Sequence, residues 1–223
     1  MADTAITLAA VSITGQTSLT PNFGRVAVLA SLGGLKAITT VLAGLPASYP
    51  VPIVVLQHRG RLDGDDLLPA ILAHRTDLPI QLVEADAPAN QTGVSVVPAH
   101  TTATVGDAGE WLLTDSDSGK NPGDALLRSS ARQMPTVAVV LTGSLSDGSE
   151  GCRAVKRGGG RVLVQDPATA RASSMPANAI ATGCADFVLP VERIASALLA
   201  LTTAPGAAEL LTVPLPPWAR LTS

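Results

Sequence analysis

Three polar side chains of this 223-residue sequence stand just beyond runs of apolar residues: Ser31 after RVAVLA, His58 after PIVVLQ and Asp147 at the end of VAVVLTGSLSD. A hydroxyl, an imidazole and a carboxylate are the parts of a nucleophilic acyl-transfer site. The hydroxyl attacks a carbonyl, the imidazole takes its proton, and the carboxylate orients the ring. Each residue taken alone has a plainer reading. Ser31 is also a favoured helix N-cap, His58 a strand-end side chain bonding a loop, and Asp147, in LTGSLSDGSEG, a turn or cap residue. Asp166 at the end of RVLVQD is a rival carboxylate, although Pro167 behind it marks a turn. His74, at the end of a helical stretch, and His100, after the strand-like VSVVPA, read as surface or structural residues.

The stretch VLASLGGLKAI places Ser31 on a strand-to-helix turn, where backbone N–H groups and the helix dipole favour a developing oxyanion. Gly33 and Gly34 leave room there for close helix packing and for a substrate carbonyl to approach the backbone. The spacing is not G-x-G-x-x-G, and no acidic residue tips the following strand, so a dinucleotide site is disfavoured.

Elements that would hold these residues are legible as five compact apolar runs: Arg25–Ala30, Ile53–Gln57, Ile80–Glu84, Val137–Thr142 and Val162–Gln165. Most lack polar alternation, the pattern of strands covered on both faces of a parallel sheet. Helical spacing of Leu35, Ile38, Val41, Leu42 and Leu45 follows the first run. Further helices are predicted around Ala125–Ser130, over Gly151–Lys156, at MPANAIATG with Pro176 in its first turn, and over VERIASALLAL; DFVLP reads as a short strand. Alternating strands and helices predict an α/β, three-layer, doubly wound and mainly parallel sheet. Residues 101–115, with two period-two runs around Gly106-Asp107-Ala108-Gly109, predict an antiparallel hairpin. In such sheets ligands bind beyond the carboxyl ends of the strands, where Ser31, His58 and Asp147 stand. The predicted organisation is an N-terminal arm (1–24), one catalytic domain (25–202) and a Pro-rich tail (203–223).

Composition narrows the function classes. A net charge of -3 with 2% aromatic residues supplies neither a basic footprint for phosphate backbones nor stacking platforms for bases, so no nucleic-acid partner is expected. Cys152 and Cys184 have no companions at metal-ligand spacing and are expected as buried free thiols, with no metal and no cofactor. No apolar run approaches a membrane span and no basic leader precedes one, so a cytoplasmic protein without membrane insertion is expected.

Beyond this, VLASLGGLKAI, IVVLQH, LTGSLSDGSEG, GGGRVLVQD and SMPANAIATGCADFVLP, in one order from residue 25 to about 202, resemble the catalytic domain of the chemotaxis protein-glutamate methylesterases, the CheB family. The resemblance implies Ser31 as nucleophile, His58 as base and Asp147 as its carboxylate partner. Leu32, Gly33, Gly34, Ser144 and Met175 are implied around the oxyanion and substrate. The implied substrates are glutamate γ-methyl esters on the cytoplasmic helices of a chemoreceptor, with glutamine deamidation as related chemistry. The family's full-length form commonly carries a receiver domain where only about 24 residues precede this one, which leaves three readings open: phosphorylation control is absent, a separate receiver or signalling protein supplies it, or the sequence is a fragment. Departures are Leu32 for the family's threonine, Ser144-Leu145 for Met-Gly, Arg59 for methionine and Ser174 for glycine. They leave two alternatives open: a non-catalytic binding module on the same fold, or a hydrolase for a different ester. Arg59 and Arg61 would either pair with substrate carboxylates or stand as solvated loop charges.

Overall fold

The computed structural model describes residues 23–60, 64–116, 121–204 and 206–207. The expected arm up to residue 22, the tail beyond 207 and Arg61 lie outside the described residues. In chain order the elements are β1 (Arg25–Ala30), α1 (Gly34–Ala43), β2 (Ile53–Gln57), α2 (Leu68–Ala73), β3 (Ile80–Leu82), β4 (Val94–Val96), β5 (Thr101–Val105), β6 (Trp111–Asp115), α3 (Pro122–Gln133), β7 (Thr136–Val140), α4 (Ser149–Arg157), β8 (Arg161–Gln165), α5 (Ser174–Ala181), β9 (Phe187–Leu189) and α6 (Val191–Thr203). Seven strands form one sheet in the order β3-β4-β2-β1-β7-β8-β9, with every pairing parallel. The hairpin β5–β6 stands apart as the predicted antiparallel pair, turning at Gly106–Gly109 and burying Trp111.

The unbroken apolar runs sort by the period of two into two cores. Val26, Val28 and Ala30 of β1, with Val137 and Val139 of β7, meet Ile38, Val41 and Leu42 of α1 and Ile194 and Leu198 of α6 on one face. Ala27 and Leu29, with Ala138 and Val140, meet Leu126 and Leu127 of α3, Cys152 and Val155 of α4 and the hairpin's Trp111 on the other. Both faces are therefore covered, as an all-parallel sheet requires. Each of the fully buried Leu, Ile and Val side chains contributes roughly 1.5–3 kcal/mol of burial energy, so the strand ends project from a stiff platform.

Two strands end two residues earlier than the sequence reading. The run at 80–84 leaves the ladder after Leu82, and the run at 137–142 is paired as Thr136–Val140, which frees Leu141 and Thr142 for the loop. The strand-like VSVVPA, outside the five runs, supplies the three-residue β4, which bridges β2 and β3. Cys152 and Cys184 are buried free thiols, and burial pushes the Cys152 thiol far above its ordinary range. Among the described residues no helix is long and apolar enough to cross a membrane.

Candidate active site

From β1 the chain steps one way to β2 and later returns on the other side of β1 as β7, so the strand order reverses at β1. That reversal opens a crevice beyond the strand ends, the place where open α/β sheets bind ligands. Ser31 and His58 reach it in register. Ala30 pairs with Gln57 across β1 and β2, and the His58 N–H donates to the Ala30 carbonyl at 2.8 Å. The two side chains therefore leave neighbouring strands about 4.8 Å apart.

Asp147 arrives from the far side, on the loop after β7, and is almost fully buried. Its Oδ2 accepts from His58 Nε2 at 2.6 Å and from the Gly123 N–H at 2.7 Å, and its Oδ1 accepts from the Asp124 N–H at 2.9 Å. Those two amides open α3, whose own N-cap, Asn121, makes no side-chain cap bond. The carboxylate thus both caps α3 in the favourable field of its N-terminus and holds the imidazole. Only glycine fits at 123, because a Cβ there would lie 2.8 Å from Asp147 Oδ2. With Nε2–H donated to Asp147, the lone pair rests on Nδ1, which is the nitrogen left to accept a proton from Ser31.

The plain role of Ser31 is not the one the structure gives it. Gly33, at φ 81, is the N-cap of α1 and there is no side-chain cap bond. The Ser31 backbone is instead pinned, its N–H to the Thr142 carbonyl (3.0 Å) and its carbonyl to the Gly34 N–H (2.8 Å). Among the described residues the Ser31 hydroxyl has no hydrogen-bond partner, so it is uncommitted. Thr142 steadies the turn further: its Oγ1 donates to the Leu32 carbonyl at 2.9 Å and accepts the Ala172 N–H at 2.9 Å, and its own N–H goes to the buried Gln165 at 2.9 Å. Gly143 brings the β7 loop against the nucleophile, since a Cβ at 143 would lie 2.8 Å from the Ser31 Cβ and collide with the Met175 sulfur.

The remaining candidate residues fall around this centre. Leu32 is exposed, Gly33 lies under the stem of Arg171, and the Gly34 N–H is spent on Ser31. Ser144 is half-buried, and Met175 is buried beneath Gly143, to whose carbonyl its N–H donates. Leu145, in the family's glycine position, holds φ 69, a conformation that glycine enters without the steric cost leucine bears. Its N–H and carbonyl are both bound from α5, by Ser174 Oγ and Asn178 Nδ2.

Neither expectation for Arg59 holds. It is mostly buried, ion-paired to Asp66 at 2.8 Å and bonded to the Val97 carbonyl, so it is neither a solvated charge nor a free hand for substrate carboxylates. Asp166 caps the turn at Pro167–Thr169 through the Ala168 N–H, as Pro167 suggests, and the imidazole is held by Asp147 instead. His74 is exposed at the end of α2, whereas His100 lines a cavity of about 70 Å³ together with His58.

Sequence reasoning passes over Thr142, Gln165 and Asp124. The first two do carry a signal, being polar residues that terminate apolar runs. Asp124 is buried, and its Oδ1 accepts the Gly151 N–H of α4 at 2.7 Å, tying together the two helices that flank the Asp147 loop. Burial foremost, and the charge of Asp147 besides, raise its pKa. Asp124→Ala leaves the Gly151 amide unsatisfied, at roughly 1–3 kcal/mol, and is expected to loosen the Asp147 loop and lower kcat about tenfold. Asp124→Asn keeps the acceptor and is expected to recover most of that loss. Thermal unfolding and kcat measured on both variants check this, and an Asn variant as poor as the Ala variant overturns the positioning role.

The CheB methylesterase family model matches residues 26–198. A protein-glutamate methylesterase/protein-glutamine glutaminase of Anaeromyxobacter dehalogenans is 37% identical over 183 residues, covering 79% of this chain and 53% of that protein. A putative protein of the same description from Leptospira interrogans is 31% identical over 186 residues, covering 81% of this chain and 95% of that one. The chain therefore spans about half the length of the first relative and most of the second. The crystal structure of the Thermotoga maritima CheB methylesterase catalytic domain superposes with a TM-score of 0.72 at 30% identity, covering 80% of this chain and 98% of that one. The matched region runs from the second residue of β1 into α6, so it spans the seven-stranded sheet, the hairpin and all three polar strand ends, and on that ground the chain belongs to the CheB methylesterase family.

Proposed function

We propose that the chain is a serine hydrolase that removes methyl groups from glutamate γ-methyl esters on the cytoplasmic helices of a chemoreceptor, with residues 25–202 as its catalytic unit. Ser31 Oγ attacks the ester carbonyl while His58 Nδ1 takes its proton, and the carbonyl electrons move onto oxygen. Collapse of that tetrahedral species breaks the C–OCH3 bond, and His58 returns the proton to the leaving methoxide, which departs as methanol. Water, deprotonated by the same nitrogen, then cleaves the acyl-enzyme to give the glutamate carboxylate and free Ser31. A glutamine side chain in the same position would lose ammonia by the same steps. Asp147 holds the imidazolium that forms twice in each cycle.

The observation that carries this reading is the chain of contacts from α3 to Asp147 to His58, with Ser31 in register on the adjacent strand and its hydroxyl uncommitted. Such an arrangement holds a base on the strand beside a serine that no other group engages, and a binding module has no use for a serine so placed. Incubation with a fluorophosphonate probe is expected to label Ser31 in the wild-type protein and not in His58→Ala, and methanol is expected to appear when a methylated receptor fragment is added. A folded protein that neither takes the label nor releases methanol overturns the reading. Labelling without methanol release points to a different ester.

A further inference from the structure

Large apolar side chains stand exposed on the segments that follow β1, β2 and β7. Leu32, Leu35, Leu67, Ile71 and Leu145 are five of the eight large apolar side chains exposed among the described residues, the others being Leu82, Leu112 and Val188. Leu67 is 64% exposed, Leu32 54% and Leu145 79%. Three of the five, Leu35, Leu67 and Ile71, line a depression of about 240 Å³ between α1 and α2. An apolar cavity of roughly 150 Å³ accommodates benzene, so this one holds a leucine- or methionine-sized side chain. Its wall includes Gln57, the Arg59–Asp66 pair, which neutralises itself, and the exposed carboxylate of Asp65 at the rim.

Position selects the occupant. Gln57 is the residue before His58, and Leu35 stands four residues past Ser31, in the first turn of α1. Gln57 and Arg59 also line the small cavity that His58 lines, so the depression adjoins the catalytic centre on its β2 side. A substrate helix is about 10–12 Å wide with its side chains, so one that presents an ester to Ser31 must cover this ground. On such a helix, residues three or four positions from the ester lie on the same face, about 5–6 Å away.

Resting on the proposed methylesterase reading, we infer that the depression is a specificity subsite for a large apolar side chain three or four residues from the esterified glutamate on the same substrate helix. Leu67 and Ile71 form its outer wall and Leu35 its side toward Ser31. Specificity then comes from burial rather than charge, consistent with a chain whose net charge of -3 gives no general attraction to acidic partners.

The test uses two synthetic helical peptides bearing one glutamate γ-methyl ester, with leucine or alanine four residues away, and N-acetylglutamate γ-methyl ester amide as a substrate too short to reach the subsite. Burying a leucine side chain is worth tenfold or more in binding. The wild-type protein is expected to prefer the leucine peptide about tenfold in kcat/KM, and Leu67→Ser with Ile71→Ser to erase that preference. The ratio of the leucine peptide to the short ester should fall in parallel. A preference that survives the double substitution, or none in the wild-type protein, overturns the subsite. Fluorescence anisotropy of the leucine peptide on the Ser31→Ala protein supplies a readout independent of turnover. If no ester is hydrolysed but that binding is present and needs Leu67, the catalytic reading fails and the subsite stands. If sedimentation instead shows a dimer that the double substitution dissociates and the peptide does not displace, the face belongs to a second copy of the chain and the proposal fails.

Discussion

Ser31→Ala is expected to lower hydrolysis of a glutamyl methyl ester by on the order of 10⁵–10⁶ in kcat while leaving KM and the unfolding temperature close to their original values. The magnitude is that of losing the nucleophile from a cooperating triad. Stability is spared because the Ser31 hydroxyl has no hydrogen-bond partner among the described residues, and the turn is held through its backbone to Thr142 and Gly34. His58→Ala should cost a similar factor, and the double variant little more than either, since residues acting as one unit are not additive. Methanol release, measured beside a thermal melt, checks all three. Turnover of Ser31→Ala within tenfold of wild type, or losses that multiply in the double variant, would remove Ser31 from the mechanism.

Much of this arrangement is legible in the residues because parallel strands bury both faces. Arg25–Ala30 and Ile53–Gln57 announce themselves as unbroken apolar runs, and their ends announce Ser31 and His58 as the first polar side chains to emerge. Register is not legible in this way. That Ala30 faces Gln57, and so places the two residues side by side, depends on pairing that neither run encodes alone. Asp147 is visible as a candidate but its setting is not, because the groups that hold it are backbone amides at 123 and 124, and a backbone amide has no sequence signature. Arg59 shows the opposite failure. Its neighbourhood to His58 in sequence suggests a substrate contact, yet Asp66 reaches it first, through a fold in the chain that composition does not reveal. The glycine at 123 is the one trace of the carboxylate in the sequence, since it sits just after a helix-starting proline where helix propensity alone would not choose it.

Asp147→Asn separates the two duties of that carboxylate, and is expected to lower kcat by about 10⁴ through loss of the correct imidazole tautomer. Three donors converge on Asp147, namely the Gly123 and Asp124 amides and His58 Nε2. An asparagine offers one oxygen and one NH2 group. If the NH2 group takes the Oδ2 position, it confronts the Gly123 N–H and donates to Nε2, which drives the proton onto Nδ1 and blocks the nitrogen that must accept from Ser31. If it takes the Oδ1 position, His58 keeps its tautomer but the Asp124 N–H loses its acceptor. Either orientation leaves a buried amide facing a donor, at roughly 1–3 kcal/mol, so the unfolding temperature should fall by several degrees. Ser31→Ala, by contrast, should lose activity alone. The two variants together therefore distinguish a chemical role from a structural one. A fall in stability without a fall in kcat would reduce Asp147 to the cap of α3, and His58 would then need another partner to hold its proton on Nε2.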